Sequence, residues 1–343
     1  MRLLVAGIAA LIMPGSGIIA QTRLDLALPT DNDTLLRGGG PQFYQYVERV
    51  YKGVKSTPWE GGQYGFVRDP VETTEGLIYT RFHEGIDIRS VQRDGRGEPL
   101  DQVRAIADGK VVHTNFVPGY SNYGKYLVIE HRWDGSSYYS LYGHLSSITV
   151  KPGQEVRKGD QIAVMGYTGV GLNQARAHLH LELNLILSHQ FEAWHQAFVK
   201  NDPNHNGIYN GINLTGIDIA RLYLTLQKNP SLTIPEFLRD EEIFYKVTVP
   251  KSPHFELVKN YPWMLQGTPG VKTCSWEVSF ARSGLPLKVE PSDHHVAQPE
   301  LTYVKKSSVE YAYMTRGAVG GHGSRAHLTE SGQQLMRLLI YPD

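Results

Sequence analysis

The stretch 178–187, His-Leu-His-Leu-Glu-Leu-Asn-Leu-Ile-Leu, alternates polar and apolar residues as far as Leu185. A period of two is the signature of a β-strand, whose successive side chains point to opposite faces. Comparable short runs surround it: 110–115 (KVVHTN), 125–131 (KYLVIEH), 137–142 (SYYSLY), 147–150 and 161–165 (QIAVM), each bounded by Gly or Asp turns. Runs of 4–8 residues at this spacing predict a mainly β fold, an antiparallel sandwich or partly open barrel, over about 59–200. The 35 glycines and 20 tyrosines agree with many strands and turns. Neither a Rossmann nor a P-loop glycine pattern occurs.

Outside that block the texture changes. Residues 21–58 form a lead-in with turn-rich 31–34 and 38–41 and an amphipathic segment at 43–54. Residues 201–343 read as an appended mixed α/β region: a helix at 217–227 and strand-like runs at 243–249, 275–281 and 310–314. Residues 1–20 carry Arg2, an apolar run over 3–13, a Pro14-Gly15 break and Ala20. This pattern predicts a secretory signal cut after Ala20 and a periplasmic or secreted protein without a stable membrane anchor. Lys+Arg and Asp+Glu both total 34, so the formal charge is zero. That argues against nucleic acid as a partner, since phosphate contacts require a basic surface. The single cysteine, Cys274, excludes a disulfide framework and any multi-Cys metal site, and reads as a small buried apolar residue.

Chemistry concentrates in three places: His83-Glu84-Gly85-Ile86-Asp87, Tyr142-Gly143-His144-Leu145 and His178-Leu179-His180-Leu181-Glu182. A straight strand would hold His83 and Asp87 about 13 Å apart. Both reach one ion, at bonds of about 2 Å, only if the chain bends between them, and Gly85 suits such a bend. His178 and His180 share one face of their strand, so one imidazole can bind a metal while the other stands beside it. His83, Asp87 and His180 then make three ligands and leave a fourth position open, the mark of a catalytic zinc site.

These segments resemble the lysostaphin-type (LytM-like) zinc endopeptidases, whose signature is His-x-x-x-Asp, a later His, then His-x-His. The resemblance extends over 59–187, through 107–112 (ADGKVV), 122–131 (NYGKYLVIEH), 141–145 (LYGHL) and 150–163 (VKPGQEVRKGDQIA). It implies one Zn2+ on His83, Asp87 and His180, with His144 and His178 as the catalytic pair. It also implies hydrolysis of peptidoglycan peptides in cell-wall remodelling. A non-catalytic wall-binding or regulatory module of the same fold is the alternative. Two loops depart from the family: 90–102 is longer than usual, and 166–178 has Ala175-Arg176-Ala177 before the His pair. Both are expected to border the cleft.

Other features read more plainly. Glu84 does not open a His-Glu-x-x-His helix, because position 87 is Asp. Glu182 reads as a strand-face or supporting residue. Residues 202–213 begin like a calcium loop but end in Asn213, which favours an Asn-rich turn over a Ca2+ site. His294, His295 and His322 read as loop residues. Tyr79, Tyr123 and Tyr142 read as core, any one of which could donate to an oxyanion. Residues 156–166 are similar to lipoyl- or biotinyl-carrier barrels, but no suitable lysine hairpin accompanies them.

Overall fold

The computed structural model describes residues 23–343, so the expected signal and its cut after Ala20 lie outside the described residues. The fold is mainly β, and every pair of named strands is antiparallel. The dominant sheet runs in the order Glu155–Val156, Gly109–Asn115, Tyr126–Trp133, Ser136–Gly143, His178–Ile186, Leu214–Ile217. His178–Ile186 is its axis, and all nine of its residues are buried. One flank pairs with Ser136–Gly143. The other is shared: Ile86–Arg89 pairs with residues 178–181, and Leu214–Ile217 with residues 183–186. A strand covered on both faces and both edges explains the dense Leu content.

Around this sheet stand a three-stranded sheet (Ser147–Ile148, Gln161–Val164, Gln102–Arg104) and the hairpin Gly65–Thr73/Gly76–His83. A four-stranded sheet in the order Pro286–Ser292, Ser275–Phe280, Tyr245–Pro250, Glu300–Val304 belongs to the second half of the chain. One apolar cluster joins Leu24, Ile86, Leu183, Ile217, Val247, Leu338 and Ile340. No helix of the described residues is long and apolar enough to cross a membrane.

Several local expectations are corrected. Residues 43–54 do not form one amphipathic element: Gly40–Phe43 is helical and Arg49–Tyr51 pairs with Val54–Ser56. The helix expected at 217–227 is Ile219–Lys228. Ile217 instead ends a strand, and Asp218 caps the helix by accepting from the Arg221 amide. The strand-like run 310–314 is a short helix, Tyr311–Met314. Cys274 is half-buried. Of the two long loops, residues 170–172 and 176 line the central cavity, whereas 90–102 does not. Asp101 accounts for that: its carboxylate accepts from the Val91 and Gln92 amides and the Ser90 hydroxyl, drawing 90–102 back. Arg93 and Glu98 then brace Gln174 and Tyr167 of the other loop.

Candidate metal centre

Two chain segments about 95 residues apart meet at the cluster. The hairpin strand ends at His83, the chain bends through Glu84-Gly85, and pairing resumes at Ile86. A Cβ on Gly85 would sit 2.2 Å from the Leu181 carbonyl oxygen, so only glycine lets the bend lie this close to the central strand. Register then places Asp87 directly opposite His180, which in turn faces Gly143. His144 follows with a positive φ of 61°, a left-handed conformation that His tolerates better than most side chains.

His83, Asp87 and His180 are all buried, and together they form a group able to hold a metal ion. His83 Nε2 lies 3.1 Å from Asp87 Oδ1 and 3.1 Å from His180 Nδ1, and His180 Nδ1 lies 3.0 Å from that oxygen. Tetrahedral zinc with bonds of about 2.0–2.1 Å separates its donors by about 3.3 Å, so the triangle matches the ion. Tautomers are set from behind. His83 donates from Nδ1 to the Gln63 carbonyl at 2.8 Å, and His180 donates from Nε2 to Glu182 Oε1 at 2.7 Å. Each therefore presents a lone pair to the other. Two lone pairs and a carboxylate oxygen in contact repel unless a positive charge lies among them.

Without an ion, a proton on His180 supplies that charge. For Asp87, burial pushes the pKa up, but His83, His178 and Arg68 outweigh it and hold the carboxyl well below the usual carboxylate range. For His180, burial pulls down, yet its bonds to Asp87 and Glu182 push it up to about 9. Burial, the nearby His178 and His180 hold His144 well below an ordinary imidazole. His144 and His178 donate from Nδ1 to the Thr168 and Arg176 carbonyls at 2.8 and 2.7 Å, which leaves both Nε2 atoms as acceptors. Their rings lie 4.7 Å apart, and His178 Nε2 is 3.3 Å from Asp87 Oδ1. All five residues named from sequence thus line one cavity of about 880 Å3.

Sequence reasoning missed Arg68, whose Nη2 lies 2.7 Å from Asp87 Oδ2 and fixes the carboxylate from its far side. No motif marks it. Glu182 was signalled by the same alternation, since positions 178, 180 and 182 share a face. Of the three tyrosines, Tyr142 is core and accepts from the Ile106 amide, and Tyr79 accepts from Arg49. Tyr123 lines the cavity, its ring 5.3 Å from His180. Glu84 pairs with Arg316, and His322 pairs with Glu310. In the 202–213 loop the amides of Asn204 and Asn213 donate to loop carbonyls, and that of Asn206 to the Tyr120 carbonyl.

The sequence model described as Peptidase family M23 matches residues 81–191. An uncharacterized metalloprotease of Haemophilus influenzae is 37% identical over 105 residues, 31% of this chain and 19% of that protein. The murein hydrolase activator NlpD of Escherichia coli is 34% identical over 117 residues, 32% of this chain and 26% of its own length. The peptidoglycan DD-endopeptidase ShyA of Vibrio cholerae is 45% identical over 76 residues, 22% of this chain and 16% of its own. The chain thus spans about a quarter or less of these relatives. The span that matches the Peptidase family M23 model, residues 81–191, contains the whole donor triangle.

Proposed function

We propose that this chain is a zinc metalloendopeptidase of the periplasm or extracellular space that hydrolyses peptide bonds in peptidoglycan. The observation that carries the reading is the triangle of His83 Nε2, Asp87 Oδ1 and His180 Nδ1, with two further imidazole nitrogens beside it. His83, Asp87 and His180 would hold the ion. When bound, zinc acidifies water and polarises a carbonyl. The remaining work falls to the chain. His144 and His178, each anchored through Nδ1–H, offer Nε2 to accept a proton from water or, once protonated, to donate toward a developing oxyanion. Arg68 and Glu182 keep Asp87 and His180 in register so that the donors need not rearrange.

The test is digestion of murein and of defined muropeptides by the zinc-loaded chain, with product masses. Peptide-bond products that disappear on chelation support the reading. His144→Ala should retain one zinc per chain and lose activity about 10²–10⁴-fold, whereas His83→Ala should lose both. A zinc-loaded chain that leaves every muropeptide intact overturns the peptidase. A second reading, a non-catalytic wall-binding or regulatory module, then takes its place. The relative named as a murein hydrolase activator favours considering it.

A further inference from the structure

The second half of the chain reaches the central cavity. The short helix Tyr311–Met314 and the turn after it bring Ala312, Tyr313 and Arg316 to its wall. Arg316 adopts a positive φ of 54° and Gly317 one of 79°, a tight reversal that ends the helix. Arg316 Nη2 donates to Glu84 Oε1 at 2.5 Å, and its guanidinium carbon stands 5.3 Å from the centre of the Phe82 ring. Phe82 and Glu84 flank His83, so the guanidinium is seated against the segment that carries a donor of the metal centre.

A second cavity of about 410 Å3 adjoins the first and shares Glu84, Asn122, Tyr123, Val170 and Arg316 with it. Arg316 and Glu84 thus belong to the wall common to both cavities. Arg316 is about one-third exposed, and the contact to Glu84 is its one hydrogen bond among the described residues. A guanidinium has five N–H donors in a rigid fork that matches a carboxylate. Glu84 and Phe82 therefore immobilise this fork while leaving most of its donors unengaged. Five arginines line the larger cavity against four carboxylates, and three of the arginines are paired there, Arg68 with Asp87, Arg81 with Asp69 and Arg316 with Glu84.

We propose that Arg316 is a specificity-determining residue that binds a free carboxylate of a peptide lying along the wall shared by the two cavities, with Glu84 as its positioning residue. The C-terminal half would thereby complete the substrate groove. The proposal rests on the peptidase reading for its substrate class, and its measurement is kept separate from turnover.

The probe is a synthetic murein peptide dimer with free carboxylates, compared with the same dimer carrying carboxamides. Calorimetric binding is measured on the zinc-loaded full chain in the inert His144→Ala background. The free-acid dimer should bind about tenfold tighter than the amidated one, the scale of a hydrogen-bonded charge pair. Arg316→Ala should collapse that ratio to about one, and Arg316→Lys should restore part of it. Arg316→Gln serves where the alanine variant melts early. A ratio that survives loss of Arg316, or equal binding of both dimers by the Arg316-containing chain, overturns the assignment. An intact ratio that depends on Arg316, together with a zinc-loaded chain retaining His144 that hydrolyses nothing, sinks the peptidase reading and upholds the carboxylate site.

Discussion

Gly85 shows how one residue fixes the chemistry of several. It gives the chain its bend between two donors and lets that bend lie against the central strand, with room for no side-chain atom. Gly85→Ala would force a Cβ to 2.2 Å from the Leu181 oxygen and 2.7 Å from Glu182 Cγ, neither of which can move without disturbing the strand that bears His180. The expected cost is about 3 kcal/mol, with zinc affinity falling at least about tenfold as Asp87 and His180 lose register. Gly95→Ala is the control, because nothing lies within 4 Å of its ideal Cβ. Urea unfolding and zinc titration of the two variants check this, and similar losses in both would refute it. The bend was legible in advance because the distance between two ligands in a straight strand is arithmetic. Arg68, Glu84 and Arg316 acquire their roles only through contacts between distant elements, which no local pattern in the chain records.

At the scale of elements, the strands carrying His178/His180 and His144 were legible because their period is two and their turns are marked by glycine. The hairpin Gly65–Thr73/Gly76–His83 was not, since Arg68-Asp69-Pro70 interrupts the alternation and the register shifts between Phe66 and Arg68. Tyr311–Met314 was misread for the opposite reason: its tyrosines suit a strand, and tertiary packing overrides that preference. The Tyr126–Trp133 strand also contains a titrating group that bears on stability. His131 is buried between its neighbours, with Nδ1–H donating to the Asp108 carbonyl and Nε2 facing the Ser140 hydroxyl, both at 2.7 Å. Burial pulls its pKa from 6.5 down to about 4. Above pH 6.5 the folded and unfolded chains are both neutral there. As the pH falls from 6.5 toward 4 the unfolded chain binds a proton that the folded chain refuses, so stability is lost, by about 3 kcal/mol once both pKa values are passed. His131→Gln should flatten that part of the urea midpoint against pH. An unchanged slope would show that His131 is not its source.

At the scale of the whole molecule, the issue is whether the second half of the chain is a separable unit. A chain of this length ordinarily unfolds in more than one step. Here the central strand is covered from the far half. The Tyr261 hydroxyl oxygen accepts from the Ile186 amide at 2.8 Å, Trp194 Nε1 donates to the Gln334 carbonyl at 2.9 Å, and Tyr223 donates to the Ala27 carbonyl at 2.7 Å. Apolar packing is continuous across the same boundary, from Leu183 and Ile217 to Val247 and Leu338. Removing the C-terminal part would expose that surface and leave the Ile186 amide without its partner. Scanning calorimetry of the zinc-free full chain should therefore show a single endotherm whose calorimetric and van't Hoff enthalpies agree. Tyr261→Phe leaves a buried donor unsatisfied, at a cost of about 1–3 kcal/mol, and should shift that one endotherm as a whole. Two resolved endotherms, with Tyr261→Phe moving one of them, would mean that the halves fold separately. Coupled halves also bear on the groove, because Arg316 can reach Glu84 as a fixed wall only if the sheet behind it is held to the peptidase strands throughout the folded range.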